Sequence, residues 1–192
     1  MIIFIISLNL NAQISQSDFE ENYNALLENL SVENWKTADS LTSYILEGIS
    51  EVDSMSYETK VLRYISIYCT AGLLNENYLT KDEALLKVKN YTGLELITPA
   101  HPFDNDCYVN CTHSDSDRKN TLFTVVNNSA GTQIFSFEYV KMKDPIDEKS
   151  TKNLKGKMIS IKAKLKEISV EGNMLPRFRL ECIDGEYRIE SD

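Results

Sequence analysis

An α+β fold, helices first and sheet second, is what this sequence predicts, on three observations. Apolar side chains recur every third or fourth residue up to about Tyr91, the period of a half-buried helix. From about Thr121 they recur every second residue, the period of a strand with one buried face. Between the two, Pro99, Pro102 and a stretch rich in Asp, Asn and Ser break any regular repeat. The expected architecture is antiparallel helical hairpins over 17–92, an irregular connecting segment over 93–120, and an antiparallel β-domain over 121–192, built as a small barrel or meander.

Each helix rests on its own stripe. Phe19, Tyr23, Leu26, Leu27 and Leu30 share one face of a 3.6-residue period, and Ser17 with Glu20 has the spacing of a capping box ahead of them. A second helix begins near Ser31, with Trp35, Ala38, Leu41, Ile45 and Ile49 inward and Gly48 close to its end. A third runs from about Tyr57 to Cys69, with Val61, Ile65 and Tyr68 inward and Gly72 as its C-terminal stop. The fourth starts at Thr80, whose capping partner is Glu83, and continues through Ala84, Leu85 and Val88 to Gly93. A fully buried large side chain contributes roughly 1.5–3 kcal/mol. Such stripes hold helices together as hairpins and are too little for one helix alone.

Two short segments, Asn34-Trp35-Lys36-Thr37-Ala38 and Lys81-Asp82-Glu83-Ala84, share a charged or aromatic lead-in to a small packing alanine. They resemble the starts of tetratricopeptide-type helical hairpins, over about residues 17–92. Ala38 and Ala84 are 46 positions apart, off the family period of about 34 residues. The resemblance implies a helical groove that binds a peptide or partner protein; the alternative is a plain α-hairpin domain.

The strands follow. Leu122 to Val126 leads through the turn-rich Asn127-Asn128-Ser129-Ala130-Gly131 into Gln133 to Met142, and the pair reads as a hairpin. In the second strand Phe135, Phe137 and Tyr139 are expected on one face, with Ile134, Val140 and Met142 on the other. Asp144 to Lys155 is charged, contains Pro145, and reads as a loop. Ile159, Ile161, Ala163 and Leu165 then point one way while Ser160, Lys162, Lys164 and Lys166 point the other. After the turn Glu171-Gly172-Asn173, Phe178, Leu180 and Cys182 alternate with Arg177, Arg179 and Glu181, and Asp184-Gly185 reads as a further hairpin turn. The string from Leu154 to Ile189 resembles the opening strands of an OB-type barrel. It departs from that family in strand order, because the strands at 121–142 would stand in for the usual last two.

Composition bounds the function. A chain of 192 residues can bury about 70% of its unfolded surface, so it folds without a metal or disulfide. Its net charge of −9 argues against a general affinity for nucleic acid. The charge is uneven: residues 1–140 carry −11 and residues 141–192 carry +2. Ile2 to Leu8 is a short apolar run ending near Ala12, which predicts a secretory signal peptide over 1–12; a buried N-terminal strand is the alternative. The run is far shorter than the roughly 20 residues a membrane-spanning helix needs, and no second apolar stretch supplies a span.

Few residues suggest chemistry. The seven glycines are scattered, so no loop resembles a phosphate cradle. His101, Cys107, Cys111 and His113 supply four zinc-type ligands within thirteen positions, but not at the usual knuckle spacing. In an exported protein a Cys107–Cys111 disulfide is the more natural reading, with free cysteines as the other. Asp104, Asp106, Asp115 and Asp117 lack the glycine and closing glutamate of a calcium loop and read as solvated charge. Cys69 and Cys182 read as small buried side chains. Lys162, Lys164, Lys166, Arg177 and Arg179 form a basic strand face if their strands pair, with no aromatic residue expected among them.

The expectation is an exported, non-enzymatic binding protein, periplasmic or secreted in a bacterial envelope, with no cofactor and with a protein or envelope component as partner. Its rivals are a metal-dependent or hydrolytic enzyme centred on 101–117, and an oligonucleotide- or oligosaccharide-binding barrel.

Overall fold

A computed structural model describes residues 14–49 and 52–190, so the leader expected over 1–12 lies outside the described residues. The chain is α+β, with helices α1 (Gln16–Ser31), α2 (Trp35–Gly48), α3 (Tyr57–Asn75) and α4 (Lys81–Val88) before a mixed sheet. The sheet comprises β1 (Glu95–Ile97), β2 (His101–Pro102), β3 (Thr112–Ser114), β4 (Thr121–Asn127), β5 (Ile134–Met142), β6 (Met158–Glu171) and β7 (Arg177–Ile189). A short α5 (Glu148–Leu154) occupies part of the stretch expected to be a loop. Asp147 makes this helix possible, because its carboxylate accepts from the Ser150 N–H as an N-cap.

Side-chain caps mark where α1, α3 and α4 start, whereas Asn34 ahead of α2 makes no such bond. Ser15, not Ser17, caps α1 by accepting from the Asp18 N–H at 3.1 Å. Ser56 does the same for α3 through the Thr59 N–H. Thr80 and Glu83 form the expected capping box on α4. The third helix does not stop at Gly72. It runs on to Asn75, and Gly72 serves packing instead: a Cβ there would lie 2.2 Å from the Trp35 ring. Trp35 in turn meets Tyr68 and Phe135 edge-on at 5.2 and 5.3 Å, tying α2, α3 and β5 together.

Strand order is β1-β6-β7-β5-β4-β3, with β2 also on β6. The pairs are antiparallel except β5 with β7, which are parallel, so the expected all-antiparallel domain is corrected to a mixed sheet. Of the two forms expected, a small barrel or a meander, the barrel is not shown, because the sheet is not closed. Phe103 bridges Thr112 of β3 and hydrogen-bonds Lys157 beside β6, which brings the two edges near each other, but one bridge makes no ladder. The segment 93–120, expected to be irregular, contributes β1, β2 and β3 to those edges. Asp184-Gly185 is not a hairpin turn. It lies within β7, where Asp184 has φ +56° and the β5–β7 register shifts, and a Cβ on Gly185 would sit 2.5 Å from Val140.

One core is shared by helices and sheet. Trp35, Tyr64, Ile67 and Leu74 pack with Leu122, Phe135, Leu165 and Phe178. The inward positions read for β6 and β7 hold, since Ile159, Ile161, Ala163, Leu165, Phe178 and Leu180 are all buried, but Ser160, expected outward, is buried too. A second cluster, with Leu26, Ala38, Ile45 and Leu62, joins α1, α2 and α3. Helix α3 is therefore buried nearly all round, and it faces a cavity where α1 parts from the sheet.

Candidate functional site

That cavity encloses about 630 Å³ between α1, α3, the link from β1 to β2, and the ends of β4 and β6. Its walls come from the stripes the sequence shows. Helix α3 turns Val61, Tyr64, Ile65 and Tyr68 towards it, at i, i+3, i+4 and i+7, and α1 adds Tyr23, Leu27 and Leu30. Leu27 is 45% exposed and Tyr57 49%, which places them at the mouth.

The sheet side supplies polar groups. Asn127, at the end of β4, is only 7% exposed, and its side-chain Oδ1 has no hydrogen-bond partner. His101, at the start of β2, has an unpartnered, buried Nε2. Burial pushes the His101 pKa down, so the ring is neutral at pH 7, and a backbone bond to Asn110 opposes that shift only in part. Asn110 sits between the two groups: its Oδ1 accepts from the Asn127 N–H and its own N–H donates to the Val125 carbonyl. Thr98, Ser160, Glu33 and Glu190 complete the polar side. The Glu33 carboxylate accepts from the Ser129 N–H at 2.6 Å, while Glu190 accepts from the Ser160 hydroxyl and lies 3.5 Å from Arg188.

Behind the wall lies a buried carboxylate. Glu138 on β5 is 3% exposed and accepts from Tyr64 Oη at 2.6 Å and from the Ser136 hydroxyl at 3.0 Å. Burial lifts its pKa to about 7, against the pull of those two hydroxyls, and holds the Tyr64 phenol well above its ordinary value.

The four candidate zinc ligands do not come together. Cys107 and Cys111 are joined in a disulfide, which removes both thiolates as ligands. His113 lies across the sheet from the cavity, edge-on to Phe123 at 5.1 Å, while His101 lines the cavity. Among the described residues no three His, Cys, Asp or Glu side chains are grouped to hold a metal. The aspartates shape turns: Asp104 accepts from the Asp106 N–H and Asp115 from the Asp117 N–H. Cys69 and Cys182 are free and buried, and burial raises the Cys69 thiol to about 12.

The basic strand face is assembled, since β6 pairs with β7, and two of its five charges, Lys162 and Arg179, are held in ion pairs. Lys162 pairs with Glu186 at 2.8 Å, and Arg179 with Glu171 at 3.1 Å and Glu181 at 2.7 Å. Lys164 lies opposite Glu95 of β1, and Lys166 lines a small polar groove with Glu167, Glu171 and Glu181. Arg177 stacks over Phe137 at 4.7 Å and Arg179 over Tyr139 at 4.9 Å. Phe137 and Tyr139 are thus on this outer face, whereas Phe135 faces the helices, which corrects the expectation that the three share a side and that the basic face carries no aromatic ring. An irregularity in the β4–β5 register next to Phe135 is the cause, since one added residue reverses which side faces in.

No helix among the described residues is long and apolar enough to cross a membrane. No family model matches this chain, and no curated protein or solved structure does.

Proposed function

We propose that the chain is an exported binding protein, without catalytic function, that holds a small and largely apolar ligand between α1, α3 and the sheet. The observation that carries this is the cavity of about 630 Å³, walled by leucine, isoleucine, valine and tyrosine, with Asn127, His101 and Ser160 among its polar lining residues. Small-molecule sites have this make-up, a mostly apolar wall with a few fixed polar groups, and volumes of roughly 300–1,000 Å³. The Cys107–Cys111 bond supports export, because such bonds persist in oxidising compartments.

The test is titration with Nile red, an uncharged dye that brightens in apolar surroundings. Saturable brightening near one equivalent is expected, and Val61→Trp, which fills the cavity from α3, should abolish it with the melting temperature preserved. Unsaturable binding, or full binding by the filled variant, rejects the reading.

The outer face favours a second reading, an oligosaccharide platform, because Phe137 and Tyr139 stand among Arg177, Arg179, Glu171 and Glu181. Sugars use such mixtures of ring faces and carboxylates. Calorimetry with neutral oligosaccharides before and after Tyr139→Ala tests it, and heat unchanged by the substitution rejects it.

A further inference from the structure

The end of β7, from Glu186 to Ile189, is an open edge of the sheet. Strand β5 runs beside β7 only as far as Gly185, whose carbonyl accepts from the Lys143 N–H at 3.0 Å, and the chain then leaves through Asp144 and Pro145. On its other side β7 stays paired with β6 as far as Ile189. There the Glu190 N–H donates to the Met158 carbonyl at 2.9 Å. Bonds across an antiparallel pair involve every second residue, so Glu186 and Arg188 turn their backbone groups to β6, while Tyr187 and Ile189 turn theirs away. Ile161, opposite Tyr187, agrees with this phase: its own N–H and carbonyl point away from β7, to Thr98. The N–H and carbonyl groups of Tyr187 and Ile189 therefore face the lane that β5 leaves, and nothing among the described residues bonds to them.

A groove of about 330 Å³ opens in that lane. Met142, Pro145, Ile146 and Tyr187 form its apolar wall, and its charged residues are Asp144 and Glu186. Glu186 is held by Lys143 at 3.1 Å and Lys162 at 2.8 Å, whereas Asp144 is exposed and has no ion pair among the described residues. Tyr187 and Ile189 are 39% and 44% exposed.

We infer that this edge takes an extended segment of a partner protein as an added strand, with a lysine or arginine of that segment in the groove. Unpaired backbone groups on a strand edge are a template for another strand, and a pocket beside them selects its side chain. The side chain is basic because a long aliphatic stem suits the wall of Met142, Pro145 and Ile146, and the free charge there is the carboxylate of Asp144. A second copy of this chain fits the edge poorly. Pairing Tyr187 and Ile189 of one copy with Ile189 and Tyr187 of the other sets Arg188 against Arg188 and Glu186 against Glu190, like charges that oppose the pairing. The cavity between α1 and α3 plays no part in this site.

The experiment titrates the intact chain into two labelled, end-capped heptapeptides, Thr-Val-Thr-Lys-Thr-Val-Thr and its counterpart with glutamate in place of lysine, and follows fluorescence anisotropy. The lysine peptide should bind at least about tenfold more tightly than the glutamate peptide. Ile189→Pro removes an outward N–H that no ladder bond uses, so it should abolish binding of both peptides with the melting temperature preserved. Asp144→Asn should remove the preference between them; if the proline variant fails to fold, this one decides. No binding of the lysine peptide at about 1 mM, or a preference that Asp144→Asn leaves intact, overturns the inference. So does sedimentation of the peptide-free protein as a dimer that Ile189→Pro dissociates, because a second copy would then hold the edge.

Discussion

Tyr64 on α3 donates its hydroxyl to the Glu138 carboxylate on β5 at 2.6 Å, joining the helical and sheet halves across 74 positions of the chain. Both side chains are buried, Tyr64 at 4% and Glu138 at 3% exposure. A carboxylate in such a place favours its protonated form, and its pKa is pushed up to about 7. In the unfolded chain the same group titrates near 4.5. Between those two values the folded state binds more protons than the unfolded one, so stability falls as pH rises from about 4.5 to about 7 and is flat in this contribution above that. The fall amounts to about 3 kcal/mol on the shift cited. Glu138→Gln keeps an acceptor for Tyr64 and cannot ionise. Urea midpoints for the variant should lie above wild type at pH 8 and lose this slope; a variant with the wild-type pH profile refutes the assignment.

Gly72 carries the contact between α2 and α3. An added Cβ would lie 2.2 Å from Trp35 Cδ2 and 2.5 Å from Cε2, inside any real contact, and Trp35 is itself pinned by Tyr68 and Phe135. In an open helix Gly→Ala gains up to about 1 kcal/mol of helix propensity. Here overpacking outweighs it, and Gly72→Ala should lose about 1–3 kcal/mol or more. Trp35 is the chain's one tryptophan, so its emission should shift to the red as well. A variant as stable as wild type, with unchanged emission, shows that the ring can move aside.

These two relationships mark how far the sequence is legible. The change of period near 93–120 reports helix and sheet correctly, because each residue's side is dictated by local geometry and by burial of one face. The stripe Val61, Ile65, Tyr68 is visible as well, but a stripe that lines a cavity and one that fills a core have the same spacing. Leu27 differs from Leu26 only in where α1 parts from the sheet, a tertiary fact: one is 45% exposed, the other fully buried. Gly72 reads as a stop because glycine often ends helices, and only the approach of Trp35 reveals its second use. The parallel pairing of β5 with β7 and the reversal at Phe135 depend on strand order and on a bulge, neither of which alternation encodes. Asn127 and His101 carry no motif. What singles them out is an atom buried without a partner, and that exists only once the chain is folded.

The Cys107–Cys111 bond closes a loop with a sequence separation of four, and Asn110 lies within it. By loop entropy so short a closure adds about 2 kcal/mol. Reduction, or Cys107→Ser with Cys111→Ser, should lower stability by that order and free Asn110 from its place between His101 and Asn127. Dye affinity of the cavity should then fall more than the stability loss alone accounts for, measured well below the melting temperature. Mass-spectrometric thiol counting gives an independent check. The folded, unreduced protein should label at neither Cys69 nor Cys182, which are buried, and should label at those two alone once denatured. Four labelled thiols without a reductant refute the bond.

Glu181 decides whether the outer face behaves as cationic. Its carboxylate receives Arg118 Nη1 at 2.9 Å on both oxygens and Arg179 through Nε at 2.9 Å and Nη2 at 2.7 Å. Across the β6–β7 ladder it lies opposite Glu167, a like-charge pair that the two arginines compensate. Both arginines also stack on Tyr139, Arg118 at 3.8 Å and Arg179 at 4.9 Å, so they keep their positions when the carboxylate is removed. Glu181→Gln therefore leaves two guanidinium groups in place with one fewer negative charge between them. Ion pairs this exposed contribute about 0–1 kcal/mol, so the melting temperature should move little. Retention on a heparin column should change more. Wild type, with Lys162 and Arg179 matched by Glu186, Glu171 and Glu181, should pass through at low salt, and the variant should be retained and elute as salt rises. Strong retention of wild type would mean that Lys164, Lys166 and Arg177 act as a polyanion site despite the surrounding carboxylates. Equal passage of both proteins would mean that the face is neutral for a reason other than Glu181.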